Sequence, residues 1–257
     1  MRTFEYSVTE TQALSLDVYA PEGHAAGHIG TVLYLHGGGF AVGDRAMDAD
    51  RVRALTLHGL TVVVPDYRLA PVAKFPNQVD DVRAAVKWVR EHADELGVTS
   101  SKVGLWGASA GAVLGALTAL TARADDDQVQ AVASWFGFSD IETSASRSPL
   151  ESAILPPGPE HALLGVDDLA RVPELVRQAS PINHVTADAP PFLISHGDRD
   201  HVVDPSESLH LHQALTKAGA RSTLLIQGGA GHEDPRFDAA DNIAITAAFL
   251  RTHLSEA

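Results

Sequence analysis

The chain has 257 residues, enough for one α/β domain with a core that needs no covalent staples. It contains no cysteine, which excludes disulfides and thiolate chemistry; with the polar, alternating start MRTFEYSVTE and no apolar leader, this predicts a cytoplasmic location. A net charge of −14 argues against nucleic acid or an anionic membrane as partner, and no apolar run approaches the ~18 residues of a membrane span.

Phe4, Tyr6 and Val8 alternate with polar residues, as do Leu14, Leu16 and Val18. Both stretches predict half-buried strands, paired antiparallel at a sheet edge. From residue 31 the pattern changes to short continuous apolar runs: TVLYLH (31–36), TVVVPDY (61–67), KVGLWG (102–107), VQAVASWF (129–136), PFLISHG (191–197) and STLLIQG (222–228). Runs of this kind are expected of strands covered on both faces of a parallel sheet.

Helical patterns alternate with these strands. NQVDDVRAAVKWVREHADEL (77–96) repeats Val79, Val82, Val86 and Val89 at steps of three and four, giving one apolar face. GAVLGALTALTAR (111–123) follows the third of these apolar runs. DPSESLHLHQALTKAG (204–219) reads as a helix with Asp204 as N-cap, Pro205 at its first position and Glu207 closing a capping box. AADNIAITAAFLRTHL (239–254) supplies a last helix. Strand–helix alternation predicts an α/β fold: a mostly parallel central sheet flanked by helices, one domain over residues 1–257. Residues 138–190 break the rhythm and read as an inserted cap or pocket segment, helical over VDDLARVPELVRQAS (166–180).

Ser109 lies in Gly107-Ala108-Ser109-Ala110-Gly111, between a strand and a small-residue helix. A serine hydroxyl is a poor nucleophile until a base takes its proton. A sharp strand-to-helix turn lifts its oxygen clear of the backbone, and the chain crossing there leaves no room for side chains at 107 and 111. Such a serine needs backbone N–H groups where negative charge develops. Ala110 is one candidate; Gly38 and Gly39 of HGGGF (36–40), at the end of an early strand, are the others. A phosphate loop is disfavoured because no Gly-Lys-Ser/Thr follows.

An acid and then a histidine must come later in the chain. HGDRDHVVDP (196–205) offers Asp198, Asp200 and Asp204, of which Asp204 is already engaged as a helix cap. Asp198 lies close to the strand end and Asp200 further out on the loop. His232 of QGGAGHEDP (227–235) is the one of 13 histidines on a glycine-rich loop after the last strand. His210 and His212 stand two apart on a helix and face different ways, and there is no H-E-x-x-H, so no metal site is expected. His36 and His196 are expected to make structural hydrogen bonds. His24, His28, His58, His92, His161, His201 and His253 read as surface residues.

HGGGF, PDYRLAP, WGASAG, HGDRDHVV and GAGH stand in the order and spacing of α/β-hydrolases. Over residues 30–235 the chain resembles hormone-sensitive-lipase-like esterases. SPINHVTADAPPFLISHGDRD (180–200) is similar to the bacterial branch of feruloyl- and acetyl-xylan-esterase-like enzymes. The resemblance implies Ser109 as nucleophile, Asp200 as acid and His232 as base, with Gly38, Gly39 and Ala110 as the oxyanion hole. Its HG-x-x-D-x-x-V pattern favours Asp200 over Asp198. It also implies hydrolysis of a small-molecule, short-acyl ester with no cofactor. Amide hydrolysis of the kynurenine-formamidase kind, acyl transfer and non-catalytic ligand reception are the alternatives that the same family hosts. One departure stands out: residues 1–30 read as strands, so the helical N-terminal cap of the hormone-sensitive-lipase-like enzymes is reduced or missing. That leaves 138–190 as the main pocket wall and disfavours long-chain lipase activity.

Overall fold

Alternation at the N-terminus becomes an antiparallel ribbon of β1 (Arg2–Val8) and β2 (Ala13–Tyr19) at one edge of the sheet. The computed structural model describes residues 1–21, 30–98, 102–123, 125, 127–146, 150, 154 and 156–255. Part of the 138–190 segment (147–149, 151–153 and 155) and the histidines at 24 and 28 therefore lie outside the described residues. The register of β1 shifts between Glu5 and Ser7. This bulge takes Val8 out of the expected half-buried alternation and leaves it exposed, while the Tyr6 hydroxyl donates to the Asp66 carbonyl at 2.6 Å.

The continuous apolar runs form β3 (Thr31–Leu35), β4 (Thr61–Pro65), β5 (Val103–Ala108), β6 (Ala131–Trp135), β7 (Phe192–Gly197) and β8 (Ser222–Gln227). The sheet order is β1-β2-β4-β3-β5-β6-β7-β8, parallel from β4 onward. Helices α1 (Ala49–Thr56), α2 (Asn77–Glu91), α3 (Ala93–Leu96) and α4 (Ala110–Leu120) follow in chain order. The β6–β7 excursion carries α5 (Ile141–Ser144), α6 (Pro159–Leu164) and α7 (Pro173–Gln178), and α8 (Ser206–Ala218) and α9 (Ala240–Leu254) complete the chain.

Two apolar layers account for the unbroken strands. Leu33, Leu35, Val63 and Leu105 pack with the inner faces of α2, α4 and α8. Val32, Tyr34, Val62, Val64 and Trp106 pack on the other side with α1 and α9. Each buried Leu or Val contributes about 1.5–3 kcal/mol relative to exposure. The edge strand β8 is only half-buried, so the expectation of two-sided cover fails there.

Three local expectations change. The 77–96 helix breaks at His92, whose ring stacks on Trp88 at 4.1 Å and lies 2.8 Å from its carbonyl through Nδ1. Pro173 splits the 166–180 pattern into a 3-10 turn (Leu169–Arg171) and α7, because proline cannot donate to the preceding turn. The capping box does not form. Asp204 accepts from the Ser206 N–H at 2.8 Å, but Glu207 turns inward. Its Oε2 accepts from the Ser139 N–H (2.8 Å), the Ser139 hydroxyl (2.9 Å) and the Asp140 N–H (3.0 Å), fixing the start of the β6–β7 excursion.

The sheet and α4 meet where β5 ends. A Cβ on Gly107 would overlap the Gly111 carbonyl, and one on Gly111 would overlap the Leu35 carbonyl of β3. Both obstacles are backbone, so neither can swing aside. Gly111→Ala is expected to destabilise the fold by about 3 kcal/mol or more, read as a lower urea midpoint at unchanged slope.

Candidate active site

Ser109 occupies the turn between β5 and α4 with φ 52° and ψ −118°, a conformation a serine adopts only under constraint. Its N–H donates to the Trp135 carbonyl at 2.9 Å, tying the turn to the end of β6. The hydroxyl faces His232, with Oγ 2.9 Å from Nε2. On the far side of that ring, Nδ1 lies 2.7 Å from Oδ2 of Asp200. A carboxylate only accepts, so Nδ1 carries the hydrogen and Nε2 presents its lone pair to the serine hydroxyl.

Asp200 is buried and receives more than His232. Oδ1 accepts from the N–H groups of Val202 (2.8 Å) and Val203 (2.9 Å). Oδ2 also lies 3.1 Å from Nε2 of His196, which approaches the Val203 carbonyl at 3.0 Å. That carbonyl fixes the hydrogen on Nε2, so Nδ1 of His196 accepts from the Ser208 hydroxyl at 2.6 Å. Burial opposes the charge on Asp200, but the hydrogen bonds from His196, His232 and Val203 outweigh it and hold the carboxyl well below its ordinary range. Asp198 is exposed and accepts the Gly229 N–H at 2.5 Å, bracing the loop before His232 without touching its ring.

Gly38 (φ 107°) and Gly39 (φ 58°) follow β3 in conformations that favour glycine, and a Cβ on Gly38 would overlap the Val42 carbonyl. Among the described residues, no acceptor meets the N–H groups of Gly38, Gly39 or Ala110. All three line, with Ser109 and His232, a cavity of about 540 Å³. His36 braces this loop from below: its ring stacks on Tyr67 at 4.5 Å, its Nδ1 lies 2.6 Å from the Gly37 carbonyl, and burial pushes its pKa down. His201 is exposed, as expected, and also lines the cavity mouth.

One cluster had no sequence signal. Arg51 of α1 is buried and meets Asp238 (2.5 Å), the Tyr34 hydroxyl (2.9 Å) and Glu233 (3.1 Å), with its guanidinium 5.3 Å over the Trp135 ring. Glu233 follows His232 directly and has φ 53°. The arginine thus holds a left-handed residue in the histidine loop, while the Phe136 edge packs on the His232 ring at 5.0 Å.

The family model BD-FAE matches residues 16–215. This chain belongs to the BD-FAE family. The sequence is 34% identical over 223 residues to Esterase LipC of Mycobacterium tuberculosis, covering 78% of this chain and 52% of that protein. It is 32% identical over 189 residues to an acetyl esterase of Salmonella paratyphi B, covering 70% of this chain and 58% of that one. The chain therefore spans little more than half the length of these two relatives. A truncated carbohydrate esterase from gut microbiota superposes with a TM-score of 0.84 at 25% identity, covering 99% of this chain and 96% of the other. The BD-FAE match and this superposition give the fold as the α/β-hydrolase fold, as the order of motifs implied. Among the described residues, no helix is long and apolar enough to cross a membrane, and no cluster of His, Asp and Glu could hold a metal ion.

The depressed carboxyl of Asp200 ties stability to pH. Its contribution is present above the unfolded-state value of about 3.9 and is lost as the pH falls below that. Chemical denaturation across the acid limb is expected to show a shallower loss of stability for Asp200→Asn than for the wild type. Equal slopes would contradict the assignment of these donors.

Proposed function

We propose that the protein is a serine carboxylic-ester hydrolase that acts on short-acyl, acetyl-like esters through an acyl-enzyme. The observation that carries this reading is the unbroken chain from the Ser109 hydroxyl through His232 to Asp200, at 2.9 and 2.7 Å, opening on a cavity beside three unspent N–H groups. The names of the esterase relatives support it.

In this mechanism Nε2 of His232 takes the Ser109 proton as Oγ attacks the ester carbonyl. Asp200 keeps Nδ1 protonated and stabilises the imidazolium that forms. The carbonyl oxygen becomes an oxyanion bound by the N–H groups of Gly38, Gly39 and Ala110, each contributing about 3 kcal/mol. His232 then protonates the leaving alcohol. Water enters, gives its proton to His232, and releases the acid by the same steps in reverse order. The reaction needs no cofactor.

The short-acyl preference rests on the walls of the cavity. Phe40 and Phe138 meet edge to face at 6.0 Å, and Pro159 closes against Gly39, so a compact acyl group fits better than an extended chain. The name of the acetyl esterase relative is consistent with that size.

Ser109→Ala is expected to abolish both p-nitrophenyl acetate hydrolysis and labelling by a fluorophosphonate; survival of either removes Ser109 as nucleophile. Asp200→Asn should lower kcat by a factor on the order of 10⁴, far more than Asp198→Asn, and the reverse order would move the acid. Across a p-nitrophenyl ester series, kcat/KM should fall steeply beyond about six acyl carbons. An optimum at long chains would overturn the short-acyl claim.

A further inference from the structure

Six acids are buried among the described residues, and five are answered. Asp17 meets Arg45, Asp81 meets Arg68, Asp127 meets Arg83, Asp200 has the donors described above, and Glu207 holds Ser139 and Asp140. The sixth, Glu160, is 4% exposed and lies in α6 directly after Pro159, the residue that abuts Gly39. Its Oε1 accepts from the Ser144 hydroxyl at 2.7 Å. Its Oε2 has no hydrogen bond among the described residues, yet it is not one of the sealed polar atoms that lack a partner. Glu160 lines the cavity together with Ser109, Gly38 and Gly39, and Oε2 is the oxygen that Ser144 leaves available there.

Among the described residues, no Lys or Arg lines that cavity. The titratable groups among those lining residues are Glu160, His201, His232 and Glu233, and the last pairs with Arg51 through its Oε2. A carboxylate withdrawn this far from water is stable only when paired or hydrogen-bonded. Glu160 lines the space a substrate would occupy.

We propose that Glu160 is a specificity-determining residue whose Oε2 receives a hydrogen-bond donor carried by the substrate. The class so selected is esters whose acid or alcohol bears a hydroxyl or a protonated amine close to the ester. A positively charged donor gains the Coulomb attraction of an uncompensated carboxylate as well as the hydrogen bond, so the order is ammonium over hydroxyl over methyl. This inference rests on the esterase reading of Ser109, and it adds a ligand group that reading does not require.

The test compares isosteric esters in the wild type, Glu160→Gln and Glu160→Leu. On the alcohol side the pairs are dimethylaminoethyl acetate against isoamyl acetate, and hydroxyethyl acetate against propyl acetate. On the acyl side they are methyl dimethylglycinate against methyl isovalerate, and methyl glycolate against methyl propanoate. The wild type should favour the donor-bearing partner in kcat/KM, on one side of the ester, by about tenfold or more relative to Glu160→Leu. Comparing the two proteins cancels the intrinsic reactivity of each ester. Glu160→Gln keeps an oxygen for Ser144, and should lose the ammonium preference while retaining the hydroxyl preference. Equal preferences in wild type and Glu160→Leu on both sides would overturn the assignment. A second measurement separates this from the esterase reading: calorimetric binding of dimethylaminoethyl acetate and isoamyl acetate to Ser109→Ala, with and without Glu160→Leu. Failure of the wild type to cleave p-nitrophenyl acetate would sink the esterase reading alone. Failure of Glu160→Leu to weaken amine binding relative to isoamyl acetate would sink this one.

Discussion

The site depends on a crossing of backbones that has no space for a side chain. Gly107 and Gly111 let the turn after β5 press against the end of β3, where the Leu35 carbonyl fills the place a Cβ would take. That approach forces Ser109 to a positive φ, a strain of about 1–3 kcal/mol that the surrounding packing must offset. The offset is visible in the Trp135 carbonyl that accepts the Ser109 N–H and in an α4 buried along nearly its whole length. With the two strand ends in contact, the HGGG loop and the serine share one cavity. A wider turn would separate them.

Around that crossing, negative charges are kept in separate tasks by their partners. Asp200 is surrounded by donors, so it stays ionised and orients a neutral imidazole. Glu233 stands one residue from that imidazole, and its Oε2 is paired with the buried Arg51, which also holds Asp238. In a chain carrying −14, such division matters, because an unclaimed acid beside His232 would compete with Asp200 for the same proton. Glu160 of α6 belongs to neither network; among the described residues its hydrogen-bond partner is Ser144.

Most of the fold was legible because burial on both faces leaves a simple mark, an apolar run without alternation; six strands carried it, and five of them are buried on both faces. Order along the chain pointed to Ser109 and His232, and the family resemblance chose Asp200; the fold brings the three into one hydrogen-bonded line. Spacing alone left Asp198 and Asp200 open, since both follow β7 and only the direction of the loop separates them. What escaped the sequence was tertiary. Glu207 fits a capping box locally, yet three donors at the end of β6 outbid its own helix. Arg51 and Glu233 lie 182 positions apart, and no local pattern links them. The bulge that exposes Val8 leaves the alternation of residue types intact, so the pattern could not reveal it.

The inward turn of Glu207 has a consequence for how this architecture can change. Its carboxylate joins the base of α8, which follows the Asp200 loop, to the first residues of the β6–β7 excursion. Among the described residues, the excursion is also held by the Ser139 carbonyl, which receives the Ile182 N–H, and by the Leu163 carbonyl, which receives the Phe75 N–H, while Leu163, Leu164 and Val176 pack into the same core as the sheet. The two ends of the excursion are thus tied to the catalytic floor close together in space, while its middle is keyed into the core. A replacement for that stretch would have to reproduce its core side chains as well as these ties for the floor to keep its alignment.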